Sequence, residues 1–420
     1  MDSLGLPMSI RLPDLPPSIE KVVVPGTFSV SSLAWLERCA LSVLGSSYAQ
    51  RTRTGGILAP HPLALLGTVL HHTRAELLNG RWGEVKDPRD AFRVVFQAAV
   101  ESAEDQLRAE PYAANLVPLR LAVGRREWSK RIEQGVQWAC SLDPVVSRRE
   151  SPYPLGPLLG RASSMGVAAD DAPRLGSEEL LHDAELRIRG RPDWSEKRGP
   201  GLVAVSEFKS GIIEDEEGRL LEEHVLQVQA YALMIERAWP GVRVEPYIEG
   251  AKRVPVPWGE LQRDRLMDRL RSLDERLPRG REFAAEDLAF PGSHCGFCRL
   301  RPLCGRYLRE VPAWWRDSAG ALRPLPLDVW GLVDQVNESR AGISLRLTDA
   351  AGRRVLVDGL AKASGLSEVS PGDAVWLFDL ESSEDLDQHG AKVHPRNFHQ
   401  YPPGPRWRLA RRLRVFLGRR

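Results

Sequence analysis

A chain of 420 residues is longer than one domain usually holds, so two domains are expected. Its 42% hydrophobic and 27% charged residues are those of a globular protein and exclude a disordered or fibrous one. The net charge of +2 announces no nucleic-acid partner by itself, and no apolar run approaches the roughly eighteen residues of a membrane span.

The first residues, Met1 to Glu20, lack a basic start followed by an apolar run, so a soluble, cytoplasmic chain without a secretory signal is expected. Residues 1–26 are proline-rich and read as extended. A helix is expected from Phe28 to Leu44, with Ser31 or Ser32 as N-cap and Leu33, Trp35, Leu36 and Cys39 at helical spacing. Further helices are expected over Ala64–Leu78, Pro88–Ala109 and Ala114–Leu142. The stretch 151–177 is dense in proline, glycine, serine and alanine and reads as a surface loop insertion.

The pattern then changes. Asp183–Arg191 alternates like a strand, Gly199-Pro200-Gly201 is a turn signal, and Leu202–Lys209 is a second, more apolar strand. Helix Glu222–Ala238, strand Val242–Ile248 and helix Trp258–Arg276 follow, which together describe an α/β core wrapped by helices over residues 27–310. Beyond it, Asp328–Val336, Gly342–Leu347, Arg353–Val357, Ala374–Leu380 and Val393–Tyr401 read as short strands of a small all-β barrel spanning 311–402. Residues 403–420 form a basic tail whose last fifteen residues hold seven arginines and no acid. That tail suits phosphate contacts or a solvated, frayed end equally well.

The chemistry centres on Arg191-Pro192-Asp193 and Glu207-Phe208-Lys209. Side chains two apart on a strand share a face, so Glu207 and Lys209 point together, and a hairpin through Pro200 brings Asp193 alongside. Two carboxylates then converge with an ammonium, and a hard divalent cation such as magnesium is held by one or two carboxylates. A solvated strand of alternating charge would show the same local pattern. Lysine is scarce here, since only eight of the 58 basic residues are lysine and fifty are arginine, an excess that a GC-rich coding genome produces by itself. Lys209 is conspicuous against that background.

These residues resemble the PD-(D/E)XK nuclease superfamily, and in particular its RecB-like branch. Pro192-Asp193 and Glu207-Phe208-Lys209 match the two halves of the name. Gln227-Val228-Gln229-Ala230-Tyr231 resembles the branch's glutamine-x-x-x-tyrosine motif, and Gly67-Thr68-Val69-Leu70-His71 its glycine-x-x-x-histidine helix; the spacing from Gly67 selects His71 over His72. The resemblance implies a restriction-endonuclease-like core that binds Mg²⁺ or Mn²⁺ through Asp193 and Glu207, assisted by His71 and the Phe208 carbonyl. It implies that Lys209 orients or activates the attacking water and that Gln227 and Tyr231 position the strand. Trp194 departs from the pattern, since a basic residue is common there.

Of five cysteines, Cys295-x-x-Cys298-x₅-Cys304 forms a tight cluster. Cys39, on the first helix after a serine-x-serine-x-leucine start, is the candidate fourth ligand, although Ala40 stands where proline often follows. The arrangement is similar to that of iron–sulfur nucleases such as AddB and the CRISPR adaptation nucleases. It implies a 4Fe-4S cluster that closes a loop of more than 250 residues, with a tetrahedral zinc on the same thiolates as the alternative. His294 is a possible substitute ligand, and Cys140 is expected to be a buried spectator.

The C-terminal region resembles an OB-fold, whose basic grooves and stacked aromatics hold single strands; Trp330, Trp376 and Phe398 suit either stacking or a core. The resemblance as a whole implies a metal-dependent DNA nuclease acting on single strands or DNA ends in repair, recombination or defence against foreign DNA. No Gly-x₄-Gly-Lys-Ser/Thr loop is present, so unwinding requires a separate helicase. The rival readings are a non-catalytic DNA-binding scaffold subunit and a zinc-stapled RNA-processing nuclease.

Overall fold

The computed structural model describes residues 19–52, 60, 62–80, 85–108, 118–142, 176, 179–250, 252–310, 327–340, 342–348, 354–360, 369–380, 398–399 and 414–418. Most of the expected loop insertion at 151–177, residues 1–18 of the N-terminal segment and most of the basic tail lie outside them.

The chain enters through β1 (Lys21–Val23) and β2 (Phe28–Ser29), and a 3₁₀ turn over Val30–Ser32 leads into α1 (Leu33–Arg38) and α2 (Ala40–Thr52). The helix expected across 28–44 is therefore interrupted. Cys39 leaves the helical region (φ −159°, ψ 95°), and its thiol turns toward the Leu288 carbonyl at 3.7 Å. Tertiary placement of this one side chain overrides a helical hydrophobic pattern. Ser32 occupies the N-cap position of α1, but its hydroxyl donates to Ser29 O at 2.7 Å instead of capping.

Four helices follow: α3 (Pro62–Leu78), α4 (Pro88–Arg108), α5 (Leu119–Val123) and α6 (Arg125–Cys140). The last two replace one expected helix because Gly124 takes φ 84°, which no helix accommodates. Cys140 is exposed at the end of α6, contrary to the expected buried position. The expected strand over 183–191 is instead a hairpin of β3 (Leu181–Asp183) and β4 (Ile188–Gly190). Its turn is closed by Leu186 N donating to Asp183 Oδ1 at 2.9 Å, with Arg187 at φ 57°. Arg187 holds the turn by donating to the Pro25 and Leu277 carbonyls and pairing with Asp274.

The central sheet follows as β5 (Trp194–Gly199) and β6 (Leu202–Phe208), then α7 (Glu222–Ala238), β7 (Arg243–Glu249) and β8 (Arg253–Pro255), in the order β5-β6-β7-β8. β6 pairs antiparallel with β5 and parallel with β7, so α7 is the crossover between two parallel neighbours. The near-continuous burial of β6 is what a central strand covered on both faces requires. Val203 and Val205 join α7 in the main core, while Phe208 reaches a second core built by α3, α4, α5 and α6. The candidate motifs thus meet where a sheet is pressed between two helical layers. After α8 (Glu260–Arg276), β9 (Glu282–Ala284) pairs with β1, and the cysteine-bearing turns lead to α9 (Gly305–Glu310).

The C-terminal strands are β10 (Leu327–Ser339), β11 (Gly342–Thr348), β12 (Arg354–Leu360), β13 (Ala374–Leu380), β14 (Phe398–His399) and β15 (Arg414–Gly418). They line up as β14-β12-β11-β10-β13-β15, and among the described residues no pairing closes them into the expected barrel. β15 lies within the basic tail and pairs antiparallel with β13, so part of the tail belongs to the sheet. Trp330 and Trp376 are buried and therefore serve the core, not base stacking; the side chain of Phe398 lies outside the description. No described helix is long and apolar enough to cross a membrane.

Candidate active site

The Arg191-Pro192-Asp193 turn joins β4 to β5, and the register Trp194↔Ser206 sets Asp193 beside the end of β6. Phe208 N donates to Asp193 Oδ2 at 2.5 Å, and His71 Nδ1 lies 2.9 Å from Asp193 Oδ1. The His71 and Phe208 ring centroids are 5.0 Å apart, so the phenyl ring braces the imidazole. Glu207 is buried on the other face of β6. Its Oε1 accepts from Lys209 Nζ at 3.0 Å and from Gln227 Nε2 at 2.7 Å, while Lys209 Nζ also donates to Gln227 Oε1 at 2.9 Å. Gln227 Nε2 lies 3.4 Å from Tyr231 Oη, which donates to the Arg191 carbonyl at 3.1 Å. The chain of hydrogen bonds therefore returns to the turn that carries Asp193.

Local sequence explains the convergence. Gln227 and Tyr231, four residues apart on α7, share its sheet-facing side. Gly190 allows the Tyr231 ring to close in, since a Cβ there would lie 2.6 Å from Tyr231 Cε1. Gly67 similarly lets α3 approach the strand end, where a Cβ would stand 3.2 Å from Ser210 Oγ. His71 is one turn further along α3. His72 points elsewhere, with Nε2 4.0 Å from Glu76.

Burial dominates the electrostatics of Glu207 and, with the Asp193 charge, raises its carboxyl to about 7 despite Lys209. Burial would raise Asp193 too, but the charge and hydrogen bond of His71, the Lys209 ammonium and the Phe208 N–H together hold it below the usual carboxylate range. Two neighbouring carboxyls are thus pushed apart, a pattern concentrated at functional sites.

Among the described residues no group of three or more His, Cys, Asp or Glu side chains stands in a metal-coordinating arrangement. The donor set nonetheless fits a divalent cation. Glu207 Oε2 is buried without a hydrogen-bond partner among the described residues, near a second carboxylate and an imidazole, and an orphaned carboxyl oxygen in that setting suits a cation that displaces its proton.

The four cysteines of the expected cluster, Cys39, Cys295, Cys298 and Cys304, line one small cavity, which His294 also borders. Cys295 Sγ accepts from Gly292 N and Cys304 Sγ from Tyr307 N, both at 3.4 Å, which are contacts that stabilise thiolate ligands. Burial pushes the free thiols up, to about 12 for Cys298 and about 11 for Cys304. Such a buried thiol set suits a soft metal centre better than a reactive role.

Two arginines escaped the sequence reading. Arg74, one turn beyond His71 on α3, lies between the Phe208 and Trp138 rings (3.5 and 4.0 Å from guanidinium carbon to ring centroid) and faces Glu249 at 3.8 Å. Burial lowers it to about 10 against the opposing charges of Glu249 and Asp193. Its i+3 spacing from His71 was the available signal. Arg301, between Cys298 and Cys304, donates to Asp328 at 2.7 and 3.2 Å and to the Cys295 and Gly296 carbonyls at 2.9 and 2.7 Å. Nothing in the sequence marks Asp328 as its partner.

Comparison with protein families matches residues 27–305 to the PD-(D/E)XK nuclease superfamily. The match covers well over half of the chain, and the protein belongs to this superfamily. Its members are generally nucleases and typically use divalent metals. No curated protein matches the chain.

Proposed function

We propose that the protein is a metal-dependent deoxyribonuclease of RecB type, hydrolysing phosphodiester bonds in single-stranded DNA or at DNA ends. The observation that carries this reading is the buried Glu207, with one oxygen held by Lys209 and Gln227 and the other without a partner among the described residues, next to Asp193. A bound Mg²⁺ or Mn²⁺, held by Asp193, Glu207, His71 and the Phe208 carbonyl, supplies Lewis-acid stabilisation of the phosphate charge. Lys209 orients the water that adds to phosphorus as the P–O ester bond breaks, and its ammonium balances developing charge. Gln227 fixes the ammonium, Tyr231 fixes Gln227 to the turn, and His71 holds Asp193 in place. Labelled single-stranded DNA should be degraded with Mg²⁺ or Mn²⁺ and left intact in chelator. Inertness with both metals on single-stranded and duplex DNA would favour a DNA-binding scaffold subunit, and cleavage confined to RNA would favour the RNA-processing reading.

The same reading assigns a 4Fe-4S cluster to Cys39, Cys295, Cys298 and Cys304, on the support of their shared cavity and the N–H···S contacts. Anaerobically prepared protein should then be brown with broad visible absorbance; a colourless protein with stoichiometric zinc contradicts it. The C-terminal sheet is assigned to an OB-like module that holds the strand, and a separate helicase supplies unwinding. Repair, recombination and defence against foreign DNA in the cytoplasm suit this arrangement.

A further inference from the structure

The turns that carry the cysteines and the first strand of the C-terminal sheet share a buried polar junction. Arg301 stands between Cys298 and Cys304 in a 3₁₀ turn over Arg301–Leu303, and with Tyr307 it lines the four-cysteine cavity. Its guanidinium works in two directions. Nη1 donates to the Cys295 and Gly296 carbonyls at 2.9 and 2.7 Å, which ties the preceding cysteine turn to its own. Nε and Nη2 donate to the Asp328 carboxylate on β10 at 2.7 and 3.2 Å. Tyr307 makes a second connection of the same kind: its backbone N–H donates to Cys304 Sγ at 3.4 Å and its hydroxyl to Asp328 Oδ2 at 2.6 Å.

Burial makes this junction sensitive to displacement. Arg301 and Asp328 are both fully buried, and charges out of water are tolerated only while each stays paired in good geometry. The turns that set this geometry, Ser293–Phe297 and Arg301–Leu303, are 3₁₀ pieces of five and three residues, too short to keep their shape alone. A metal held by Cys39, Cys295, Cys298 and Cys304 fixes them against each other and against the break between α1 and α2. Apolar packing continues the junction into the sheet. The Tyr307 ring meets Trp330 with centroids 6.4 Å apart, Trp330 stacks on Phe378 at 6.5 Å, and the buried residues of turns and sheet form one cluster.

We infer that the four-cysteine site is the docking device of the C-terminal sheet. Metal bound there holds the turns in the arrangement in which Arg301 and Tyr307 grip Asp328, and loss of the metal releases β10. Because β10 pairs with both β11 and β13, its release loosens the sheet as a body. The inference rests on the reading of the four cysteines as a metal site and is independent of the nuclease reading. The coupling runs both ways, since a docked sheet that is favoured by metal must in turn favour retention of the metal.

The test is amide hydrogen exchange of the full-length protein, assayed for iron and zinc, before and after the metal is stripped with ferricyanide and EDTA and the thiols are reduced again. Amides of β10 and β13 should exchange about tenfold faster in the stripped protein, measured relative to α7, which lies outside the junction. Asp328→Asn keeps the side-chain shape but removes the charge, and Tyr307→Phe removes one hydrogen bond. Both variants should lose metal to a chromogenic chelator severalfold faster than wild type, Asp328→Asn the more so, with the protection of α7 retained. Unchanged exchange in β10 and β13 after a measured loss of metal would overturn the docking role. So would an equal loss of protection in α7, or wild-type metal release from both folded variants. Protein that carries neither iron nor zinc would overturn the metal reading itself, and the inference with it.

Discussion

Glu207 sits where its own charge is penalised, and this yields a pH prediction with a definite sign. Its carboxyl is raised from 4.5 to about 7, by burial first and by Asp193 second. In metal-free protein its contribution to stability is therefore full below about 4.5 and lost as the pH rises through about 7. A cation must displace that proton, so metal binding should release close to one proton at pH 6 and almost none at pH 8.5 or so, with affinity rising across that interval. Calorimetry in buffers of different ionisation enthalpy reads this; pH-independent binding would show that Glu207 is not a ligand. Asp193, held below the usual carboxylate range, stays ionised throughout and adds nothing to the slope. The convergence of Asp193, Glu207, Lys209, Gln227, Tyr231 and His71 could be anticipated because each belongs to a short motif with fixed internal spacing. Arg74 could not, because its meaning depends on Phe208, Trp138 and Glu249, which come from three other segments.

At the level of elements, the site depends on how closely α7 and α3 approach the sheet. Gly190→Ala places a methyl 2.6 Å from Tyr231 Cε1, against a side chain that is 2% exposed. Overpacking of this kind costs about 1–3 kcal/mol. The ring must shift, breaking the Tyr231–Arg191 hydrogen bond, so activity should fall more than stability; comparison of kcat with the urea midpoint checks this. Among the expected elements, β6 and α7 match closely, since an apolar run bounded by a glycine turn and a long amphipathic helix are strong local patterns. The expected helix over 28–44 and strand over 183–191 differ because Cys39 and Asp183 act through partners distant in sequence or in a tight turn. Alternation across 183–191 is as compatible with a hairpin as with a strand, and only the pairing decides.

Across the whole molecule, the cysteine region lies at the end of the segment matched to the superfamily and is tied to the first strand of the C-terminal sheet through Arg301 and Asp328. Arg301 and Asp328 are 1% and 0% exposed and paired, with Tyr307 Oη donating to the same carboxylate at 2.6 Å. Removing one partner of a buried pair costs roughly 3–5 kcal/mol, so Asp328→Ala should lower the first unfolding transition by that amount and loosen the turn that carries Cys295. If the four cysteines hold the proposed cluster, Cys39→Ser should abolish its metal content and lower the melting temperature by several degrees, because a crosslink between segments far apart in sequence is lost. Neither change alters a hydrogen-bond partner of Lys209, the residue on which the functional account depends. Lys209 Nζ bridges Glu207 and Gln227 at 3.0 and 2.9 Å, a span that suits a compact ammonium and not a planar guanidinium. The most direct measurement is therefore the rate of single-stranded DNA cleavage with Mn²⁺ by wild type, Lys209→Ala and Lys209→Arg, each with an unchanged circular dichroism spectrum. The account predicts a loss of roughly 10²- to 10³-fold in both variants. Wild-type rates in either folded variant would contradict it.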